Sequence, residues 1–227
     1  MARHRPVRRP PAPSSAAASQ RPAASQRPAG DEAASAPRII GGDLRGRRLE
    51  FLPHGRTRPM KDRVRESLFD LLGTDVRGAV ALDLFAGTGA LGFEAVSRGA
   101  VRAILVERHF PTADALRRSA RGLGVEDRVE VRSGDVLLWA RRLPDLPRDL
   151  PWIVFISPPW EFFAAGHERR PELLALIAAL RGAAPPGSRI VVEADMSFAA
   201  ADLPDPAAWE ARPIPPACLH FAGSLVS

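Results

Sequence analysis

One glycine loop, three acids and one proline-rich turn are the residues whose types and spacing suit chemistry. The loop is Asp83-Leu84-Phe85-Ala86-Gly87-Thr88-Gly89-Ala90-Leu91-Gly92; Glu107 follows Gly87 by 20 residues, and Asp135 lies further on. Gly87 to Gly92 matches G-x-G-x-x-G, which in dinucleotide sites brings backbone amides to a pyrophosphate and a downstream acid to ribose hydroxyls. Asp83 points elsewhere. A carboxylate at the end of the preceding strand repels pyrophosphate and suits an ammonium group. S-adenosylmethionine carries an ammonium group, a ribose that Glu107 can hold and an adenine that Asp135 can contact. A nicotinamide dinucleotide site and a ligand-free glycine turn remain the alternatives.

The second constellation is Ser157-Pro158-Pro159-Trp160. Two prolines fix the backbone and remove two amide donors, so their carbonyls are free to accept, and Trp160 offers a flat face on which a base can stack. Pro-Pro alone also makes a rigid turn with no further role. Beside a cofactor loop, the tryptophan gives the turn more meaning.

The elements that must position these groups are legible as apolar runs. Strand-like segments at 80–85, 103–107, 129–131, 152–156 and 189–193 alternate with helical stretches near 90–98, 112–122, 136–142 and 169–182. Such alternation implies a parallel sheet covered on both faces, a doubly wound α/β domain with its ligands at the carboxyl ends of the strands. The fourth strand is expected beside the first, which sets Ser157 across the crevice from Gly87–Gly89. Pro213 to Ser227 can add edge strands, with prolines obscuring their register. Ahead of the domain, Arg38–Gly42 and Arg47–Leu52 read as two short strands around a turn. Pro59 opens a helix that carries Val64, Leu68, Leu71 and Leu72 on one face and ends at Gly73. Arg63 or Arg65 can pair there with Asp62 or Glu66.

Residues 1–37 contain 11 Ala, 7 Pro, 5 Ser and 6 Arg. Such a segment buries too little to offset its ordering entropy and is expected to be a disordered basic tail. The chain therefore divides into a tail (1–37), a basic arm of hairpin and helix (38–77) and a main domain (78–227). Charge follows the same division: +4 in the tail, +6 over residues 38–65 and −4 in the rest of the 227-residue chain. A basic front on an acidic globule suits a polyanion partner. Cys218 is the only cysteine, and the 5 His have no ligand spacing, so disulfides and metal centres are excluded and a reducing compartment fits. No apolar run approaches the roughly 18 residues of a membrane span, so a soluble, cytoplasmic protein is expected. Asn is absent and Lys61 is the only lysine, which excludes mechanisms that need an Asn amide or a second lysine.

The arm carries the most specific signal. Arg38-Ile39-Ile40-Gly41-Gly42, Arg45-Gly46-Arg47, Arg58-Pro59, Asp62-Arg63-Val64-Arg65-Glu66 and Leu68-Phe69, followed by the Asp83 loop and Glu94-Ala95, resemble the RsmD family over residues 38–195. Members of that family are bacterial enzymes of the class I, Rossmann-like methyltransferase fold. They transfer a methyl group from S-adenosylmethionine to the exocyclic N2 of a guanine in small-subunit (16S) ribosomal RNA. By that resemblance Asp83, Phe85, Ala86, Gly87, Thr88, Gly89, Glu107 and Asp135 hold the cofactor. Arg38, Arg45, Arg47, Arg58 and Arg63 meet RNA, and Ser157, Pro158, Pro159 and Trp160 form the catalytic turn. The resemblance implies no metal, a monomer, and ribosomal RNA or an assembling small subunit as partner. The chain departs from the family where Ser157 replaces the usual Asp or Asn before Pro-Pro, and where Thr88, Met60 and Ser119 replace a usual serine, threonine and asparagine. A hydroxyl is a weaker acceptor than a carboxylate and no base at neutral pH. The departure therefore leaves two outcomes: slower turnover carried by positioning, or an inactive relative that binds RNA during ribosome assembly.

Overall fold

The computed structural model describes residues 1–2, 36–52, 60–139 and 146–223. By compactness the chain falls into two units, Met1–Ala33 and Ala34–Ser227. The expected tail and Arg58 lie outside the described residues, apart from the few tail residues at its two ends.

In the second unit the elements run α1 (Asp62–Leu72), β1 (Val80–Asp83), α2 (Ala90–Ser97), β2 (Arg102–Glu107), α3 (Phe110–Leu123), β3 (Val129–Ser133), α4 (Val136–Trp139), β4 (Trp152–Ile156), α5 (Arg170–Ala183), β5 (Arg189–Asp195), β6 (Trp209–Ile214) and β7 (Ala217–Ala222). The sheet order is β3-β2-β1-β4-β5-β7-β6. β1 to β5 are parallel, and β4 lies beside β1 with Asp83 opposite Phe155. Both faces are covered, because alternate strand residues point to opposite sides. Ala81, Leu105, Phe155 and Val191 pack with α1, α2 and α3, whereas Leu82, Ile104, Val154 and Val192 pack with α4 and α5.

Three expectations change. The helix expected from Pro59 begins at Asp62, with Pro59 itself outside the described residues; it does end at Gly73, whose φ of 52° is a conformation glycine adopts without penalty. The C-terminal segment does not simply extend the edge: β7 inserts antiparallel between β5 and β6, and β6 starts at Trp209, ahead of the prolines. The two arm strands reduce to a single bridge, Arg38 to Arg48. The arm's backbone donors divide between its own two segments and α2. Ile40 N–H and Gly41 N–H donate to the two carboxylate oxygens of Glu94 at 2.7 Å each, and Leu44 N–H donates to Ser97 Oγ. The donors that face the sister segment stay there, Ile39 N–H to the Arg47 carbonyl and Leu49 N–H to the Pro37 carbonyl, while those on the outer side go to α2. Ile39 and Leu49 join the core on the α1 to α3 face, so the arm is anchored by apolar burial as well.

Candidate functional site

The glycine loop joins β1 to α2, and its amides are already committed. Gly87 N–H donates to Glu107 Oε2 at 2.8 Å, Gly92 N–H to Asp83 Oδ2 at 3.0 Å, and Gly89 N–H to the Ala86 carbonyl at 2.6 Å. A pyrophosphate would find these donors occupied by two carboxylates and a carbonyl, which weighs against the dinucleotide alternative. Gly89 has φ of 74°, and a Cβ there would sit 2.6 Å from Leu116 and 2.8 Å from the Phe93 ring. Only glycine fits that turn.

Asp83 is buried, and no cation of the described residues pairs with it. Burial raises its pKa from the ordinary 3.8 to about 7, with the Gly92 N–H opposing the rise and the charge of Glu107 adding to it. A buried carboxylate that lacks a cation fits the ammonium end of S-adenosylmethionine. Glu107 accepts from His109 N–H at 2.8 Å as well as from Gly87, so both oxygens are oriented and each keeps a lone pair for a ribose hydroxyl. Asp135 is held by Leu137 N–H at 3.0 Å and by an ion pair with Arg169 at 2.7 Å. Phe85 is half-buried, edge-on to Phe162, which in turn lies under the Arg169 guanidinium. Ala86 and Thr88 are buried in the loop. Arg169 and Phe162, neither singled out from sequence, adjoin Asp135 and Phe85; an arginine ahead of a helix and an aromatic in a loop carry no spacing signal.

Across the crevice, Pro159 caps a single helical turn, Trp160–Phe163, and its carbonyl accepts the Phe162 N–H. The Pro158 carbonyl takes no backbone donor among the described residues. Trp160 is half-buried against the core. The Ser157 hydroxyl donates to Glu193 of β5.

The arm's arginines separate into two groups. Arg65 is wholly buried, donating to the Arg38 carbonyl at 2.7 Å and to Asp62 at 3.0 Å, with Glu94 3.8 Å away. Of the pairings open to this helix, Arg65 with Asp62 is the one formed. Arg47 donates to the Gly122 carbonyl at 2.7 Å near the end of α3, and Arg38 sits 3.4 Å from Asp62 while remaining exposed. Arg45 and Arg63 are exposed, with no side-chain partner among the described residues. Ser119, one of the departures, has a clear local role: its Oγ accepts the Glu50 N–H at 2.8 Å and ties the arm to α3. Glu50, Phe51 and Leu52 thereby line one recess with Gly87, Thr88 and Thr112. Among the described residues no helix is long and apolar enough to cross a membrane, and no group of His, Cys, Asp and Glu could hold a metal ion.

This sheet order, with an acid and a glycine loop after β1, defines the Rossmann-like fold of class I methyltransferases. Residues 37–210 match the family described as Conserved hypothetical protein 95, and the chain belongs to that family, the RsmD family. Among curated proteins, Ribosomal RNA small subunit methyltransferase D of Escherichia coli strain K12 is 39% identical over 123 residues, 54% of this chain and 60% of that protein. The protein of the same name from Buchnera aphidicola is 35% identical over 122 residues, 54% of this chain and 62% of that one. The chain thus spans about three-fifths of the length of these relatives. A solved structure titled putative methyltransferase yhhF, from Escherichia coli, is 30% identical with a TM-score of 0.63, covering 82% of this chain and 96% of its own. An RNA methyltransferase from Salinibacter ruber, solved with S-adenosyl-L-homocysteine, shares the fold at 20% identity and a TM-score of 0.51, covering 73% of this chain and 92% of its own.

Proposed function

We propose that this protein methylates the exocyclic N2 of a guanine in small-subunit ribosomal RNA, using S-adenosylmethionine, as a cytoplasmic monomer that acts on the RNA or the assembling subunit. The observation that carries the reading is the pairing of β1 with β4. It sets Asp83, buried and with no paired cation among the described residues, and its glycine loop beside the turn that begins at Ser157. The curated relatives carry ribosomal RNA small subunit methyltransferase in their names, which supports the same reading.

When bound, the cofactor supplies an electrophilic methyl group on a sulfonium. Asp83 holds the ammonium end, Glu107 the ribose hydroxyls, and Asp135 with Phe85 and Phe162 the adenine. The N2 lone pair of guanine is delocalised into the ring, so a group that accepts its N–H localises electron density on nitrogen as it attacks. Ser157 Oγ and the Pro158 carbonyl serve as those acceptors, with Trp160 stacked on the base to set the approach. Arg45 and Arg63 contact phosphates or splayed bases, while Arg38 and Arg47 shape the arm that presents them. Residues 38–77 act as the RNA-binding part and 78–227 as the methyltransferase domain.

The test uses the purified full chain, labelled S-adenosylmethionine and small ribosomal subunits from cells that lack the native modification. Label recovered as N2-methylguanine is the expected result. Cofactor binding without any incorporation would favour the RNA-binding, non-catalytic relative instead.

A further inference from the structure

β4 and β5 are parallel neighbours with Ile156 opposite Val192, so the next residues along, Ser157 and Glu193, face each other at the carboxyl end of the sheet. Their side chains meet: the Ser157 hydroxyl donates to Glu193 Oε2. Glu193 is only 7% exposed and shares a recess with Met60, Leu68, Leu91 and Phe155, all apolar. Among the described residues no arginine or lysine pairs with it. A carboxylate in such surroundings loses solvation, and an apolar residue would pack there at lower cost. Its side chain bonds to Ser157, where this chain departs from the acid or amide that its family carries before Pro-Pro.

We propose that Glu193 is a positioning residue and the final proton acceptor for methyl transfer, acting through the Ser157 hydroxyl. The inference rests on Ser157 being the acceptor that faces the substrate amine. A hydroxyl has one proton and two lone pairs. With the proton directed at Glu193, both lone pairs of Oγ face outward to accept from N2–H, and the charge behind the hydroxyl strengthens that acceptance. As N2 bonds to the methyl carbon, the carbon–sulfur electron pair stays on sulfur and one N2 proton becomes surplus. Ser157 Oγ takes that proton while its own hydroxyl proton passes to Glu193 Oε2. The serine ends neutral, and Glu193 keeps the proton until water removes it. The serine and the glutamate together thus reproduce, one strand deeper, the carboxylate that a direct acid at position 157 would present.

Burial raises the pKa of Glu193 above the ordinary carboxylate value, and the Ser157 hydroxyl restrains the rise. The other charged groups on adjoining elements are otherwise engaged. Arg65 of α1 and Glu94 of α2 are 3.8 Å apart, Asp195 of β5 accepts from Ser197, and His220 of β7 lies edge-on to Phe198. Lys61 ahead of α1 and Asp62, Arg63 and Glu66 within it are exposed, and the Cys218 thiol of β7 is held neutral by a pKa that burial raises. Protonated Glu193 leaves the Ser157 proton free to turn toward the amine, the wrong polarity for an acceptor, so turnover falls as pH falls through the Glu193 pKa.

The experiment measures kcat at saturating S-adenosylmethionine and RNA across the acid-to-neutral range for the wild type, Glu193→Gln, Ser157→Ala and the double variant. Saturation removes effects on cofactor affinity, and unfolding curves confirm the fold. Glu193→Gln is expected to lower kcat about 10²-fold, with KM for RNA and cofactor affinity unchanged, and to abolish the acid limb. Ser157→Ala should do the same, and adding Glu193→Gln to it should change nothing further. Wild-type kcat and pH profile in Glu193→Gln would overturn this inference while leaving the proposed activity intact. If that variant does not fold, Ser157→Ala decides alone: an acid limb that persists in it overturns the inference. Absence of transfer by the wild type, with cofactor bound, overturns the activity and this inference together.

Discussion

The two halves of the crevice hold their acids differently. On the β1 to β3 side the three strand-end acids each accept from backbone: Asp83 from Gly92, Glu107 from Gly87 and His109, and Asp135 from Leu137 in addition to its pair with Arg169. On the β4 to β5 side Glu193 meets a side-chain hydroxyl. Backbone amides do not titrate or rotate, so the first three acids are fixed acceptors suited to binding a constant ligand. A hydroxyl can reverse its direction of donation, so the fourth acid belongs to a pair that can move a proton. The contrast separates a binding half from a reacting half.

The largest expected effect lies in the binding half. Asp83→Asn removes the charge proposed to face the ammonium and should weaken S-adenosylmethionine binding by about 10²-fold or more, since breaking a buried charge pair costs about 3–5 kcal/mol. Calorimetry should show Glu193→Gln leaving that affinity untouched; equal losses in both variants would erase the contrast. The same residue sets a pH dependence. Folded Asp83 titrates near 7 against an ordinary 3.8, so the folded chain without ligand holds a proton that the unfolded chain has lost between those values. Stability without ligand should therefore fall as pH rises from about 4 to 7, and cofactor affinity should rise through neutrality with proton release. Denaturant midpoints that stay flat across this window would contradict the burial assigned to Asp83.

A smaller effect tests the reacting half. Ser157→Asp, made alone, sets two carboxylates side by side, and like charges there raise the pKa of one of them. Turnover should shift to higher pH, losing about tenfold at neutrality for each unit the pKa rises above it. Ser157→Asp with Glu193→Gln restores a single acid and should recover neutral-pH turnover to at least the wild-type level. Recovery in the single variant but not the double would assign Glu193 a purely structural role. The smallest effect is in the arm: Arg63→Ala should leave stability unchanged and reduce the salt slope of RNA binding by about 1.

Much of this was legible in the order of residues. Short apolar runs with acids at their ends located β1 to β5, and Asp83, Glu107 and Asp135 all lie at or just beyond strand ends, as that pattern requires. The arm resisted reading because its two segments meet at one bridge only, and the Ile40 N–H is held by Glu94, 54 residues away. β7 was obscured because its entry through prolines looked like a sheet margin, whereas Leu219 and Phe221 are buried core. Glu193 did leave a trace, since period-2 alternation places it on the same side as the buried Val191, where a carboxylate is rare unless it has a partner.

The sequence by itself determined the class of fold, the acids at the strand ends and the basic arm, because each depends on local period and spacing along one segment. Tertiary structure alone decided which arginines are free, with Arg65 sealed in the core and Arg63 left in solvent two residues away. It also decided what stands behind Ser157. Residues 36 positions apart become neighbours only when β4 and β5 pair in one register. A slip of one residue would turn Glu193 to the opposite face and leave the serine without its acid.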